Sequence, residues 1–351
     1  MTALTGLAFS TTFLDHDTGP LHPEQPDRLR AIVRQLERSG VWQALRVWEP
    51  AACSLETLRL VHPEQHIQRI ERLAQQGGGW IDADTHVSAG SWDAALRAVG
   101  ACVEAVQRVA EGSLDNAYCL VRPPGHHATP VRAMGFCLFS NVAIAAEWLL
   151  KAGHARRVAI LDYDVHHGNG TQDVFFDRDD VLYISTHQYP FYPGSGHWSE
   201  TGSGAGAGYT VNVPLPHGAG DAAFQAARSR LVEPLVRRFC PDFLLVSLGF
   251  DAFYADPLAS LRLSIGSGFM PLIASAKALA DELCGGKLVV ALEGGYHLDA
   301  LAYGSEAVCQ VLLGGTPEDP LGPPPSEIEP VAVEGVIQAL AQQHQLSPST
   351  S

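Results

Sequence analysis

The stretch LDYDVHHGNGTQ, residues 161–172, sets two aspartates and two histidines directly after an apolar run. On an extended segment Asp164 and His166, two positions apart, leave the same side of the chain and can reach one ion. A third carboxylate, Asp251, follows another apolar run in SLGFDAF. An Asp/His/Asp set leaves a coordination position for water, which is the pattern of a catalytic metal site; a structural zinc site more often closes its shell with cysteines. Zinc suits these donors, and iron(II) satisfies the same set.

A second histidine pair, His126 and His127, stands in the turn RPPGHHATP, where two prolines stiffen the backbone. In a chain with 15 histidines an exposed doublet is the plainer reading of such a pair. Placed after a strand, however, two imidazoles can serve as general acid and base beside a metal, each needing a partner on its other ring nitrogen. Asp162 and Asn169 are candidates for those partners. Tyr296, after two glycines in VVALEGGY, can offer a phenol to a developing oxyanion, or simply pack as an aromatic.

These residues need a scaffold that brings distant segments together. Short apolar runs recur at 117–121, 157–162, 181–186, 242–249 and 287–295, and runs such as FLLVSL lack the alternation of a half-exposed strand. Between them, 140–152, 221–239, 269–284 and 299–313 carry helical patterns. Alternation of this kind predicts one wound, mostly parallel α/β sheet, with its chemistry at the carboxyl ends of the strands. The glycine-rich segment 195–208 has no phosphate-loop lysine or dinucleotide-binding context and reads as a mobile loop. Beyond Leu313 a proline-rich segment precedes one further helical stretch.

With 46% apolar and 17% charged residues, the 351-residue chain is expected to form one large globular domain. A net charge of −15 disfavours a nucleic-acid partner, and either favours cationic ligands or only keeps the chain soluble. The seven cysteines form no CxxC pair and predict reduced thiols in a cytoplasmic setting. Neither a secretory signal nor an apolar run of membrane-spanning length is visible, so no membrane association is expected. The sequence leaves a homo-oligomer open.

Taken in order, PPGHH, LDYDVHHGNGTQ, SLGFDA and EGGY closely resemble the zinc-dependent histone deacetylase family, including its bacterial amidohydrolase members; HDTGPLHPEQPDRL, from His16 to Leu29, resembles the family's N-terminal pattern. The resemblance spans roughly residues 10–315. It implies a single-domain, arginase/deacetylase-like α/β fold with about eight strands flanked by helices. Residues 1–315 would form the catalytic domain, and 316–351 a proline-rich segment and C-terminal helix on or near it. It makes Asp164, His166 and Asp251 the zinc ligands, His126 and His127 the tandem histidines, and Tyr296 the oxyanion donor. His127 would draw a proton from the attacking water, and the histidine pair would protonate the leaving amine. Phe136 and Tyr192 would wall a narrow acyl-lysine channel, with Gly135 and Gly294 lining it. Asp84 would grip a substrate backbone at the rim, and Arg28 would sit in an internal cavity below the metal. A potassium ion would use Asp162, Asp164 and the carbonyl of His166.

Some positions depart from the family pattern. Tyr192 stands where many members have phenylalanine, and Asn169 where some relatives have a second aspartate, which favours His127 as the base. Leu258 occupies a region where acetylpolyamine-specific relatives carry a gate glutamate. The expected substrate is therefore an acetyl-lysine peptide or protein, with an acetylated polyamine or other small amine as the alternative. A two-metal ureohydrolase wants DxHxD, which Gly168 denies. A catalytically dead acyl-lysine-binding module would have lost one of these groups, and none is missing.

Overall fold

The computed structural model describes residues 3–324 and 333–346. Among the described residues there are ten strands: β1 (Thr5–Ala8), β2 (Arg46–Trp48), β3 (Gly78–Trp80), β4 (His86–Ser88), β5 (Asn116–Cys119), β6 (Val158–Asp162), β7 (Val181–Gln188), β8 (Thr210–Leu215), β9 (Phe243–Leu248) and β10 (Leu288–Leu292). Eight of them form one sheet in the order β2-β1-β5-β10-β9-β6-β7-β8, paired in parallel throughout. The other two, β3 and β4, make a small antiparallel ribbon.

Every residue of β5 through β10 is buried. Burial on both pleat faces requires cover on both sides, and the helices fall into two packed groups. Ser91–Ala110 packs with Asn141–Lys151, whereas Leu298–Leu312 packs with Asp27–Ser39 and Met270–Leu283. The helical stretch expected over 221–239 is continuous but contains a π turn at Arg228–Val232, and Ile265–Phe269 forms another. A proline follows each turn within two residues, Pro234 and Pro271, and cannot donate the next helical hydrogen bond.

Three sheet strands escape the sequence pattern. β1 is four residues long and includes a glycine, and β2 is a short, largely exposed edge strand. β8 contains Pro214, which its position at the other edge of the sheet tolerates.

The winding places four motif-bearing strands side by side. The chain leaves β5 for β6, builds outward through β7 and β8, then returns to lay β9 and β10 between β6 and β5. The carboxyl ends of β5, β10, β9 and β6 are consequently neighbours, and their loops converge on one crevice.

The segment read as a mobile loop is tied down instead. Glu200 Oε1 accepts from the amides of Gly196 and His197, and its other carboxylate oxygen accepts from Gln172. At the C-terminus, helix Glu334–Gln343 packs near β8, burying Ile337 and Leu340 and pairing Glu334 with Arg230 at 2.6 Å. The parts of the 316–351 segment at 325–332 and 347–351 lie outside the described residues. All seven cysteines are free, and no described helix is long and apolar enough to cross a membrane.

Candidate active site

The loop after β6 bends so that Asp164 and His166 face the loop after β9, which carries Asp251. One ligand atom from each of the three lies within 4.8 Å of the others. Nδ1 of His166 is 3.1 Å from Asp164 Oδ1 and 3.3 Å from Asp251 Oδ2. The remaining carboxylate oxygens are held by backbone amides: Gly294 donates to Asp164 Oδ2 at 2.8 Å and Val165 to Asp251 Oδ1 at 3.0 Å.

Asp251 Oδ2 is buried and completes no hydrogen bond: the imidazole nitrogen 3.3 Å away, His166 Nδ1, donates instead to Asp164 Oδ1. Two buried carboxylates against one imidazole, one of them with an orphaned oxygen, form a donor set suited to a divalent cation. The His166 imidazole reflects that demand. Burial lowers its pKa, but the adjacent Asp164 and Asp251 carboxylates prevail and raise it to about 9. Two glycines keep the space clear: a Cβ on Gly294 would stand 2.1 Å from Asp251 Oδ2, and one on Gly249 2.1 Å from Asp164 Oδ2.

The loop after β5 brings the tandem histidines to the same place, with ring centroids 4.0 Å apart. His126 donates from Nδ1 to Asp162 Oδ2 at 3.2 Å, and His127 donates from Nδ1 to the side-chain oxygen of Asn169 at 2.8 Å. Their surroundings push them apart. Burial lowers both, yet Asp164 and Asp162 raise His126 to about 10, whereas burial together with the His126 and His166 charges holds His127 well below the usual imidazole range. Neutral His127, with its Nδ1 proton committed to Asn169, keeps Nε2 as an acceptor.

Tyr296 enters from the loop after β10. Burial and then the Asp251 charge push its phenol well above the ordinary range, so it remains a proton donor. A cavity of 240 Å³ opens over this group, lined by His126, His127, His166 and Tyr296 together with Gly135, Phe136, Tyr192, Gly294, Asp84 and Leu258. Phe136 stands edge-on to Tyr296 at 5.9 Å, and Tyr192 edge-on to His127 at 5.2 Å. Phe136 has φ of 68°, a left-handed conformation that costs a non-glycine residue about 1–3 kcal/mol. Gly135 before it has φ of 55°, and a Cβ there would meet the His127 ring at 2.4 Å.

Arg28 does not line this cavity. It is fully buried, with Nε donating to the Gly295 carbonyl at 2.7 Å and its terminal nitrogens to Glu24 Oε1 at 3.0 Å and the Glu293 carbonyl at 2.6 Å. Its guanidinium also stands 5.2 Å from the Tyr296 ring centroid.

Several residues at the site were not singled out from sequence. Phe191 stacks on His166 at 5.2 Å and lines the cavity; the aromatic doublet it makes with Tyr192 was the available signal. Glu293 accepts from the amides of Gly125 and His126 through Oε2 and from Ser247 through Oε1, anchoring the tandem-histidine turn. Its signal was a carboxylate ending an apolar strand, as Asp162 does. The Tyr183 hydroxyl, 2.9 Å from Asp162 Oδ2, and Asp256, which accepts from the Tyr296 amide, gave no comparable local sign.

The histone deacetylase domain matches residues 22–312. A probable deacetylase of Archaeoglobus fulgidus is 42% identical over 314 residues, covering 89% of this chain and 87% of that protein. A histone deacetylase-like amidohydrolase of Pseudomonas aeruginosa is 41% identical over 84% of this chain and 77% of its own length. Among solved structures, the crystal structure of the HDA15 HD domain aligns with a TM-score of 0.88 at 36% identity, covering 98% of this chain and 95% of that one. With a matching domain along most of its length and an architecture shared nearly end to end, the chain belongs to the histone deacetylase family.

Proposed function

We propose that this protein is a zinc-dependent amidohydrolase that removes acetyl groups from the ε-amine of lysine, or from a similar amine, and releases acetate. The observation that carries this reading is the Asp164/His166/Asp251 cluster below a narrow cavity that also presents His126, His127 and Tyr296. When bound, zinc supplies Lewis acidity toward the amide carbonyl and a nucleophile near neutral pH; iron(II) could do the same. His127 takes the proton of the attacking water through the Nε2 that its bond to Asn169 leaves available. Tyr296 donates to the carbonyl oxygen as charge develops there. His126, paired with Asp162, holds positive charge beside that oxyanion, and the histidine pair returns a proton to the departing amine.

Phe136 and Tyr192 offer aromatic walls to an alkyl stem, while Gly135 and Gly294 allow it to approach closely. Asp84 stands at the rim for a substrate backbone, and Leu258 adds an apolar contact at the mouth. The neutral side chain of Leu258 favours acyl-lysine over an acetylated polyamine, although the acidity of the chain keeps the polyamine as the second substrate reading. Arg28 acts from below by bracing the loop of Tyr296. A potassium ion is proposed at Asp162, Asp164 and the His166 carbonyl, and a cytoplasmic setting is consistent with seven unpaired cysteines. Residues 1–315 are proposed as the catalytic unit, with the C-terminal helix packed against it.

The test is a comparison of kcat/KM for acetyl-lysine peptides, longer acyl-lysines and acetylated polyamines on one zinc-loaded preparation. Acetyl-lysine should rank first. Absence of turnover on all three classes defeats the proposal, and a polyamine in first place replaces the substrate.

A further inference from the structure

We infer that Asp256 is a positioning residue that aims the phenol of Tyr296 by clamping the peptide group in front of it. The inference rests on the deacetylase reading above. Asp256 is buried in the loop after β9, five residues beyond Asp251, with its own amide donating to the Phe253 carbonyl at 2.9 Å. Its Oδ1 accepts from the Leu258 amide at 2.9 Å, and its Oδ2 accepts from the Tyr296 amide at 2.8 Å.

The first bond is an ordinary Asp turn, which needs only one oxygen. The second reaches 40 residues along the chain and has no role in that turn. Its target is the nitrogen of the Gly295–Tyr296 peptide group, whose carbonyl oxygen is already held by Arg28 Nε at 2.7 Å. Both polar ends of one planar unit are thus fixed from opposite sides, by a carboxyl oxygen on the N–H and a guanidinium on the C=O. Gly295, at φ of 109°, imposes little torsional restraint of its own, so the clamp sets the direction in which the Tyr296 side chain leaves the backbone. Because the same carboxylate holds Leu258, the cavity wall and the phenol share one anchor.

The experiment uses Asp256→Asn and Asp256→Ala, each alone and combined with Tyr296→Phe, as full-length zinc-loaded protein. In the asparagine variant an NH2 group must oppose one of the two backbone N–H groups. Either single substitution should lower kcat on an acetyl-lysine peptide by about tenfold or more while zinc content stays at wild-type level. In the Tyr296→Phe background the same changes should cost less than about twofold, because a residue that acts through the phenol has nothing left to aim. Losses that multiply in the double variants overturn the inference, as does unchanged kcat in both singles, or zinc loss that accounts for the defect. Hydrogen exchange at the Tyr296 amide provides a readout independent of turnover and should speed up in both variants. If the alanine variant fails to fold, the asparagine variant carries both measurements. Should the wild type hydrolyse no acetylated amine, the functional reading fails, and exchange at that amide still decides whether Asp256 holds it.

Discussion

His127 donates to the neutral side-chain oxygen of Asn169 at 2.8 Å, while its neighbour His126 donates to the carboxylate of Asp162. Two adjacent imidazoles therefore have partners of different charge. The arrangement separates an imidazole held neutral from one held positive, which is how one site can supply both a base and a cation.

Replacing that neutral partner should alter the base. In Asn169→Asp an anion would stabilise protonated His127, so the acidic limb of the kcat/KM–pH profile should move to higher pH, by about one unit. A profile that stays in place would show that His127 does not govern that limb.

Tyr296→Phe removes the donor and leaves the ring. Turnover of a fluorogenic acetyl-lysine peptide should fall by roughly 10²–10³, with zinc content unchanged by metal analysis. Wild-type turnover in this variant would take Tyr296 out of the mechanism.

Gly294→Ala acts on the proposed metal ligands. The added Cβ would stand 2.1 Å from Asp251 Oδ2 and 2.6 Å from Asp164 Oδ2, so one carboxylate must move. Zinc affinity, measured by competition with a chelator, should drop by about tenfold or more, the scale seen when the groups that orient ligands are disturbed. Unchanged affinity would place the ion elsewhere.

Leu258→Glu should shift selectivity at the mouth of the cavity. A partly exposed carboxylate there is worth up to about 1 kcal/mol toward a cationic stem, or roughly fivefold in relative kcat/KM for an acetylated polyamine over a neutral peptide. An unchanged ratio would mean that the polyamine stem does not pass this position.

His62 offers a test of stability against pH. It is buried, donates from Nδ1 to the Pro130 carbonyl and accepts at Nε2 from the Ser140 amide; burial and then His66 lower it to about 3. A histidine whose folded pKa lies below its unfolded value of about 6.5 contributes stability above that pH and loses it as pH falls toward the folded value. His62→Gln has no such proton to take up on unfolding. The stability gap between wild type and variant, from urea denaturation, should therefore shrink by about 1.4 kcal/mol between pH 7.5 and 5.5. A constant gap would mean that His62 is not held neutral in the fold.

The amino-acid sequence by itself determined the class of sheet and the chemistry at its edge. Unbroken apolar runs signal buried parallel strands, and polar residues placed straight after them are local features. Asp164, His166, Asp251, His126, His127 and Tyr296 were accordingly legible as candidates, and the structure brings all six to one crevice. Only the tertiary structure decided the strand order that makes the ends of β5, β10, β9 and β6 neighbours, and with it the bonds that orient the site. Glu293 reaches the Gly125 amide across 168 residues, and Asp256 the Tyr296 amide across 40. Arg28, expected in a cavity below the metal, binds Glu24 and two carbonyls of the loop after β10. A carboxylate or guanidinium that binds distant backbone leaves no periodicity or spacing along the chain, because its partner is chosen by the winding of the sheet rather than by its sequence neighbours.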